Sequence, residues 1–448
     1  MVFNFYSYNT GVTSKAGIVA LVGRTNVGKS SLFNAIIGRR EVIVAEEEGT
    51  TRDSIAAKAS HGQTDFWLVD TAGLKSPDDD FELTIQEQIA QASDDASLIL
   101  VVADASAPIT EEDRRVATTA LKSRKPVILV VNKIDKNPRL NLLDWQRLGI
   151  KTMVATSTTQ RQGLDELLDK VVDELPSAKI RQADKHIRLA LLGRPNVGKS
   201  SLFNSLAKKQ QAIVADRAGT TRDVNRIAIR YEGHELELMD TAGIRRSGKI
   251  ERGVEHFSVL RSLAAIEQAD ICLLLMDAGE LNVQLDQKIA GLVKEAGKGL
   301  ILVVSKWDSV DKDSFTRDSV APSIANSFAF VAWAPLIFTS AVTGQNVTKI
   351  YELALDIYEK RHQKFQTAEL NKWLTRTINQ HPPAGLEGRT PKLNYMVQED
   401  DQDWPNFKVF GAHTKFLHWS YKRYMERKFR ETWDLEGTPL KFWFIEKH

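Results

Sequence analysis

The sequence predicts two doubly wound α/β domains in tandem, followed by a small α+β domain. Three observations carry that prediction. The chain nearly repeats itself at a shift of 170 residues: between 20–74 and 190–244, 26 of 55 positions are identical. Each copy holds continuous apolar runs separated by glycine loops and helical spacing, the pattern of parallel strands covered on both faces. Residues 360–448 repeat nothing. The length of 448 residues fits three domains at about 150 each, and two copies at so long a period are a duplication, not a solenoid.

The elements follow in order. Residues 1–16 lack a basic start leading into an apolar core, so they read as a short polar leader or arm. The first copy covers 17–175. Its strand at 18–22 runs into a glycine loop, a helix at 30–37 and apolar strands at 97–102 and 127–131. Residues 176–186 form a polar linker. The second copy covers 187–359, with a strand at 189–192, a helix at 200–206 and strands at 271–276 and 300–304. After the shared DTAG the register slips to 173, so Asp104 falls on Asp277 and Lys133 on Lys306.

Composition narrows the function classes. The chain is 42% hydrophobic and 26% charged, with a net charge of only +2, which excludes a uniformly basic nucleic-acid coat. The single cysteine, Cys272, lies in an apolar run and reads as a buried structural thiol, and a chain without disulfides suits a reducing cytoplasm. The longest apolar stretches, 98–103 and 271–276, stop at Asp104 and Asp277, far short of the ~20 residues of a membrane span. A monomer with no membrane partner is the expectation.

The repeated loops carry the chemistry. The pattern G-x-x-x-x-G-K-S runs from Gly23 through Asn26, Val27, Gly28 and Lys29 to Ser30, with Ser31 next. It recurs from Gly193 through Asn196, Val197, Gly198 and Lys199 to Ser200 and Ser201. Both follow a strand and open a helix, the context in which backbone N–H groups and the helix N-terminus wrap phosphates. Lys29 and Lys199 reach the β/γ-phosphates, and Ser30 and Ser200 hold Mg²⁺. GTTRD at 49–53 and 219–223 supplies a threonine to Mg²⁺; Thr51 and Thr221 are preferred over Thr50 and Thr220, which spacing barely separates. DTAG places Asp70 and Asp240 for water-mediated Mg²⁺ binding and Gly73 and Gly243 for the γ-phosphate.

Base selection lies in Asn132-Lys133-Ile134-Asp135. An aspartate accepts from guanine N1–H and N2–H₂, a pair adenine does not offer, so the ligand is GTP or GDP and not ATP. The second copy reads Ser305-Lys306-Trp307-Asp308, with serine in place of asparagine. Ser157-Thr158 and Ser340-Ala341 place backbone N–H groups near guanine O6.

This chain resembles the Der (EngA) family of bacterial ribosome-assembly GTPases. The resemblance spans about 17–448 and rests on the tandem motifs, the stretch after the second DTAG at 245–270, SAVTGQNV at 340–347 and the closing SYKRYMERKFR…GTPLKFWF. It implies P-loop GTPase domains, GTP hydrolysis, a KH-like third domain and a role in maturing the large ribosomal subunit. Ser305 departs from the family's asparagine, and WPNFKVF at 404–410 departs from a Pro-Pro-Thr-Phe-like stretch. Leu74 and Ile244 follow the DTAG motifs where a water-orienting glutamine could stand. In related GTPases an asparagine placed like Asn26 or Asn196 supports an activating K⁺; the alternative is that both only brace the loop. The competing function is a GTP-dependent assembly scaffold whose second domain hydrolyses slowly.

Residues 361–448 hold 15 Lys/Arg, 11 Asp/Glu and 15 of the 35 aromatic residues. Ser420 is a candidate cap for a helix with Tyr421, Tyr424, Met425 and Phe429 as its apolar stripe. Lys422, Arg423, Arg427, Lys428 and Arg430 then form the other face. Either the aromatics build a small core under solvated charges, or the basic face meets RNA. GLEG at 385–388 precedes a predicted strand at 392–397 and reads as a turn, not as a KH GXXG loop.

Overall fold

The computed structural model describes residues 17–38, 56–62, 64–71, 95–137, 139–175, 186–209, 226–240, 259–310, 316–386, 388–400 and 403–446. They fall in two compact units. One holds 17–175 with 259–267, and the other holds 186–240 and 268–446.

In the first unit the order is β1 (Gly17–Val22), α1 (Lys29–Ile37), β2 (Ala56–His61), β3 (Thr64–Asp70), β4 (Leu98–Asp104), α2 (Glu111–Lys122), β5 (Val127–Asn132), β6 (Thr152–Thr156) and α3 (Leu164–Glu174). The six strands lie in the order β2-β3-β1-β4-β5-β6, all parallel but the edge strand β2. Val19, Leu21, Leu68, Leu100 and Val130 pack against Leu32, Phe33 and Ile36 of α1 and Leu167, Leu168 and Val171 of α3. Strands this apolar along their whole length are stable only when covered on both faces.

The second unit builds the same sheet again. Its elements are β7 (His186–Leu192), α4 (Lys199–Lys209), β8 (Arg226–Tyr231), β9 (His234–Asp240), α5 (Val259–Gln268), β10 (Ile271–Asp277), α6 (Gln284–Glu295), β11 (Gly299–Ser305), α7 (Thr316–Ser327), β12 (Leu336–Phe338) and α8 (Lys349–Arg361), though residues 259–267 of α5 cluster with the first unit. The sheet order is β8-β9-β7-β10-β11-β12, again with one antiparallel edge strand. Cys272 is buried in β10 as a free thiol.

The same unit continues into the C-terminal domain: α9 (Thr367–Gln380), β13 (Lys392–Gln398), β14 (Asn406–Ala412), α10 (Trp419–Thr432) and β15 (Lys441–Glu446). Its three strands pair β13-β14-β15, antiparallel then parallel. The aromatics make the core: Phe429 meets Trp373 edge-on at 5.0 Å and Phe365 at 5.5 Å between ring centroids. Phe442 and Phe444, two apart on β15, are partly buried and pack against that core.

Two details correct the sequence reading of α10. The helix starts at Trp419, two residues early, and its cap is His418, whose side chain accepts the Ser420 N–H; Ser420 is inside the helix. Arg430 does not face solvent. It bonds Glu426 and donates to Leu435 O and Thr438 O at 3.0 Å each, and burial lowers its pKa. This fastens the 435–438 loop, where Leu300 N of β11 donates to Gly437 O at 3.0 Å and Gly437 N to Trp333 O at 2.7 Å. Gly437 has φ +73, and a Cβ there would lie 2.2 Å from Ile357, so only glycine lets the loop approach α8.

Candidate nucleotide-binding sites

Each phosphate loop leaves the C-terminal end of a central strand, β1 or β7, and enters a helix, α1 or α4. Its first glycine is sterically required. A Cβ on Gly23 would lie 2.4 Å from Val102 O, and one on Gly193 2.5 Å from Leu275 O, with φ of +153° and +136°. The loops pass that close to the neighbouring strand only without a side chain. Asn26 and Asn196 sit at φ 64° and 62°, a left-handed conformation asparagine tolerates.

Lys29 Nζ donates to Gly23 O at 2.7 Å and Arg24 O at 2.8 Å; Lys199 Nζ does the same to Gly193 O and Arg194 O at 2.9 and 2.7 Å. Both ammonium groups are therefore held inside the loop's curve. Burial lowers the Lys29 pKa against the opposing pull of Asp70. Ser30 Oγ donates to Asp70 Oδ2 at 2.5 Å, and Ser200 Oγ to Asp240 Oδ2 at 3.3 Å. Hydroxyl and carboxylate thus converge at the loop's exit, two hard oxygen donors of the kind Mg²⁺ takes. Val27 and Val197 are buried beneath the loops. Ser31 and Ser201 are exposed on the first helical turns. Thr50, Thr51, Gly73, Thr220, Thr221 and Gly243 lie outside the described residues.

The base motifs end β5 and β11. Asn132 is buried; its Nδ2 donates to Val27 O at 3.2 Å and its Oδ1 accepts from Thr156 at 3.2 Å. It therefore ties the base strand to the phosphate loop. Ser305 makes the same tie with less: its hydroxyl lies 2.5 Å from Val197 O and 2.9 Å from Met276 O. Ser157 Oγ donates to Asp135 Oδ1 at 2.6 Å, steadying the carboxylate meant for guanine. In the loops expected near guanine O6, Ser157 N donates to Gln162 O at 3.0 Å and Ser340 N to Gln345 O at 3.2 Å. In the second site Asp308 lies in a short turn behind Trp307, whose ring packs on Phe338 at 4.5 Å.

The partners that hold several of the predicted residues escaped the sequence reading. Lys133 Nζ bonds Asp104 Oδ2 at 2.6 Å and Asn26 O at 2.6 Å; Lys306 Nζ bonds Asp277 Oδ2 at 2.7 Å. Burial raises both aspartate pKa values, but the lysine bond and nearby donors outweigh it and hold them below the usual range. Arg24 pairs with Asp113 at 3.2 Å, and Arg194 with Asp286 at 3.2 Å and Glu280 at 2.7 Å. Asp113 also closes the capping box of α2 with Thr110. These pairs pin each phosphate loop to the helix that follows the next strand.

A family model described as "50S ribosome-binding GTPase" matches residues 18–133 and again 188–306, and one described as the C-terminal KH-domain-like region of EngA bacterial GTPases matches 364–444. The GTPase Der of Chloroflexus aggregans is 41% identical over 433 residues, covering 94% of this chain and 96% of that protein. The chain belongs to the Der family of GTPases. The GTPase Der of Caldanaerobacter subterraneus subsp. tengcongensis is also 41% identical, over 94% of this chain and 97% of that one. The chain is a GTP-binding and GTP-hydrolysing protein with two GTPase domains followed by a KH-like domain. Among the described residues no helix is long and apolar enough to cross a membrane.

Proposed function

We propose that this Der-family GTPase is a switch in assembly of the large ribosomal subunit, with domains at 17–175, 187–359 and 360–448. The observation that carries the reading is the pairing, twice in one chain, of a phosphate loop with a base motif bonded to it through Asn132 or Ser305. The match to a model described as ribosome-binding supports the partner. Ser30 with Asp70, and Ser200 with Asp240, would hold Mg²⁺, joined by Thr51 and Thr221. Bound there, Mg²⁺ neutralises charge developing on the phosphates. Lys29 and Lys199 hold the β/γ-phosphates, and Gly73 and Gly243 offer N–H groups to the γ-phosphate. Asn26 and Asn196 support K⁺ as the activating cation. Asp135 and Asp308 select guanine.

GTP orders the loops around Thr51, Gly73, Thr221 and Gly243 and exposes a basic surface from residues 245–252 and the α10 helix. Arg430 is consumed in the fold, so Lys422, Arg423 and Arg427 carry the helix's part. The protein acts as a cytoplasmic monomer. The test is co-sedimentation with large subunits under a non-hydrolysable GTP analogue and under GDP. Stronger binding with the analogue, weakening with salt and with charge reversal at Arg423 and Arg427, is expected. Binding that ignores the nucleotide refutes the switch. A second reading, a scaffold whose second domain turns over slowly, rests on Ser305; turnover by Lys29→Ala and Lys199→Ala separates the two.

A further inference from the structure

We infer that Val342 packs its side chain on the guanine ring in the second site, so that this site holds its base by an apolar contact where the first site offers the hydroxyl of Thr159. The inference rests on the guanine reading above and adds a specificity residue to the second site.

The turn after β12 is seated on the base motif. Trp307 N donates to Thr339 O at 3.0 Å, Asn346 Nδ2 donates to Phe338 O at 2.9 Å, and the Phe338 ring packs on Trp307. Ser340, which is buried, closes the turn on itself. Its N–H donates to Gln345 O at 3.2 Å, its carbonyl accepts Gly344 N at 2.9 Å and its hydroxyl accepts Thr343 N at 3.0 Å. Ala341 and Val342 are left at the tip, and among the described residues neither N–H has a hydrogen-bond partner. An exposed valine alone says little, since single apolar side chains are common on surfaces. Its placement says more. Val342 is 84% exposed, against 63% for Leu143, the next of the large apolar side chains among the described residues. It stands beside two free N–H groups, on a turn bonded to the motif that carries Asp308 and Lys306, whose ammonium Asp277 holds at 2.7 Å.

The first copy has the same turn with a different tip. At a shift of 183 Ser157 falls on Ser340, Thr159 on Val342, and Gly163 at φ 71° on Asn346 at φ 55°. Ser157 N donates to Gln162 O at 3.0 Å and Gln160 N to Ser157 Oγ at 3.2 Å, matching bonds in the second copy. The backbone closure is thus shared, and the tip side chains differ. The base motifs differ in the matching sense. Asn132 keeps one N–H in reserve, whereas the single proton of Ser305 is taken by the carbonyls of Val197 and Met276. The second site therefore exchanges a polar hold on the purine for an apolar one. Valine suits that exchange. Branching at Cβ already limits its rotamers, so a ring that covers it freezes little further motion. Each methyl group covered contributes about fourfold in affinity.

Calorimetry of the full chain tests this, with Lys29→Ala silencing the first site. Val342→Ala is expected to weaken GDP about four- to fifteenfold, for one or both methyl groups covered, and to make the heat-capacity change of binding less negative. Inorganic pyrophosphate, which reaches the phosphate loop alone, should bind both forms equally. The melting temperature without nucleotide should not move, because the side chain is exposed. In a chain carrying Lys199→Ala instead, Thr159→Val should tighten GDP at the first site about fourfold. An equal loss for pyrophosphate overturns the proposal, as does a loss of GDP affinity with no change in heat capacity, or no gain from Thr159→Val. A second site that binds pyrophosphate but prefers ADP to GDP overturns the guanine reading itself, whereas undiminished GDP affinity in Val342→Ala overturns only the valine contact.

Discussion

Replacing Ser305 with asparagine tests how differently the two sites read their base. In the first site the Asn132 amide spends one N–H on Val27 O and its oxygen on Thr156, leaving one N–H for a ligand. Ser305 has a single proton and two backbone carbonyls within 3 Å, so it has nothing left to donate. There is room for the larger side chain. A Cβ on Gly28 would stand 2.5 Å from Asn132 Nδ2, whereas one on Gly198 would stand 3.9 Å from its nearest neighbours, Ser305 Oγ among them. Thr339, now donating to Val304 O at 3.3 Å, can turn to the new amide oxygen as Thr156 does. One added neutral hydrogen bond contributes ~1 kcal/mol, about fivefold in affinity. The assay is calorimetry of GDP binding to the full chain carrying Lys29→Ala, so that the second site reports. Ser305→Asn should tighten GDP about fivefold, and the gain should vanish with 7-deaza-GDP, in which C–H replaces the N7 acceptor. An unchanged affinity, or a gain that survives the deaza ligand, refutes the reasoning.

Asp135→Asn should turn an acceptor pair into a mixed group facing guanine's two donors and weaken GTP at the first site by as much as roughly 10⁴-fold; equilibrium dialysis reads this, and wild-type ATP affinity equal to that for GTP contradicts both base motifs. K⁺ should raise turnover over Na⁺, with Asn26→Ala and Asn196→Ala each removing the effect at its own site; equal phosphate release in both salts counts against an activating cation. Asp286 should make stability pH-dependent. Burial, opposed by Arg194, raises its carboxyl from 3.8 to about 6, so the fold holds a proton the unfolded chain releases. That contribution is full below about pH 4 and lost as pH rises to 6, at most ~3 kcal/mol. The wild-type melting temperature should therefore fall relative to Asp286→Asn over that interval, and parallel curves would show the carboxylate ionised throughout.

Much of the fold was legible because its signals are local. The strands expected at 97–102 and 271–276 are observed at Leu98–Asp104 and Ile271–Asp277, so the first is displaced by a residue or two and the second only gains its terminal aspartate. The misreadings in α10 have a different origin. Serine's preference as a cap pointed to Ser420, but the imidazole of His418 serves as acceptor one position before the helix. Helical spacing put Arg430 on the polar face, and so it would be in an isolated helix. The returning 435–438 loop, bonded to β11, covers it. No spacing rule within α10 holds that information.

The site divides in the same way. The phosphate and base motifs were readable because loop and ligand geometry are written in consecutive residues. The ion pairs behind them were not, because sheet register brings the partners together: Asp104 is level with Asn132 across β4 and β5, and Asp277 with Ser305 across β10 and β11. A signal did exist. At the shift of 173 Asp113 falls on Asp286 as Asp104 falls on Asp277, and at 170 Arg24 falls on Arg194, so charges at positions that define no motif recur in step with the motifs. Every one of these pairs closes a loop against a strand end or helix. Ser305 breaks the pattern in identity while keeping its bond, since its hydroxyl reaches Val197 O as the Asn132 amide reaches Val27 O. The second copy therefore retains the tie between base strand and phosphate loop, which the fold needs, and gives up the spare donor, which only a ligand would use.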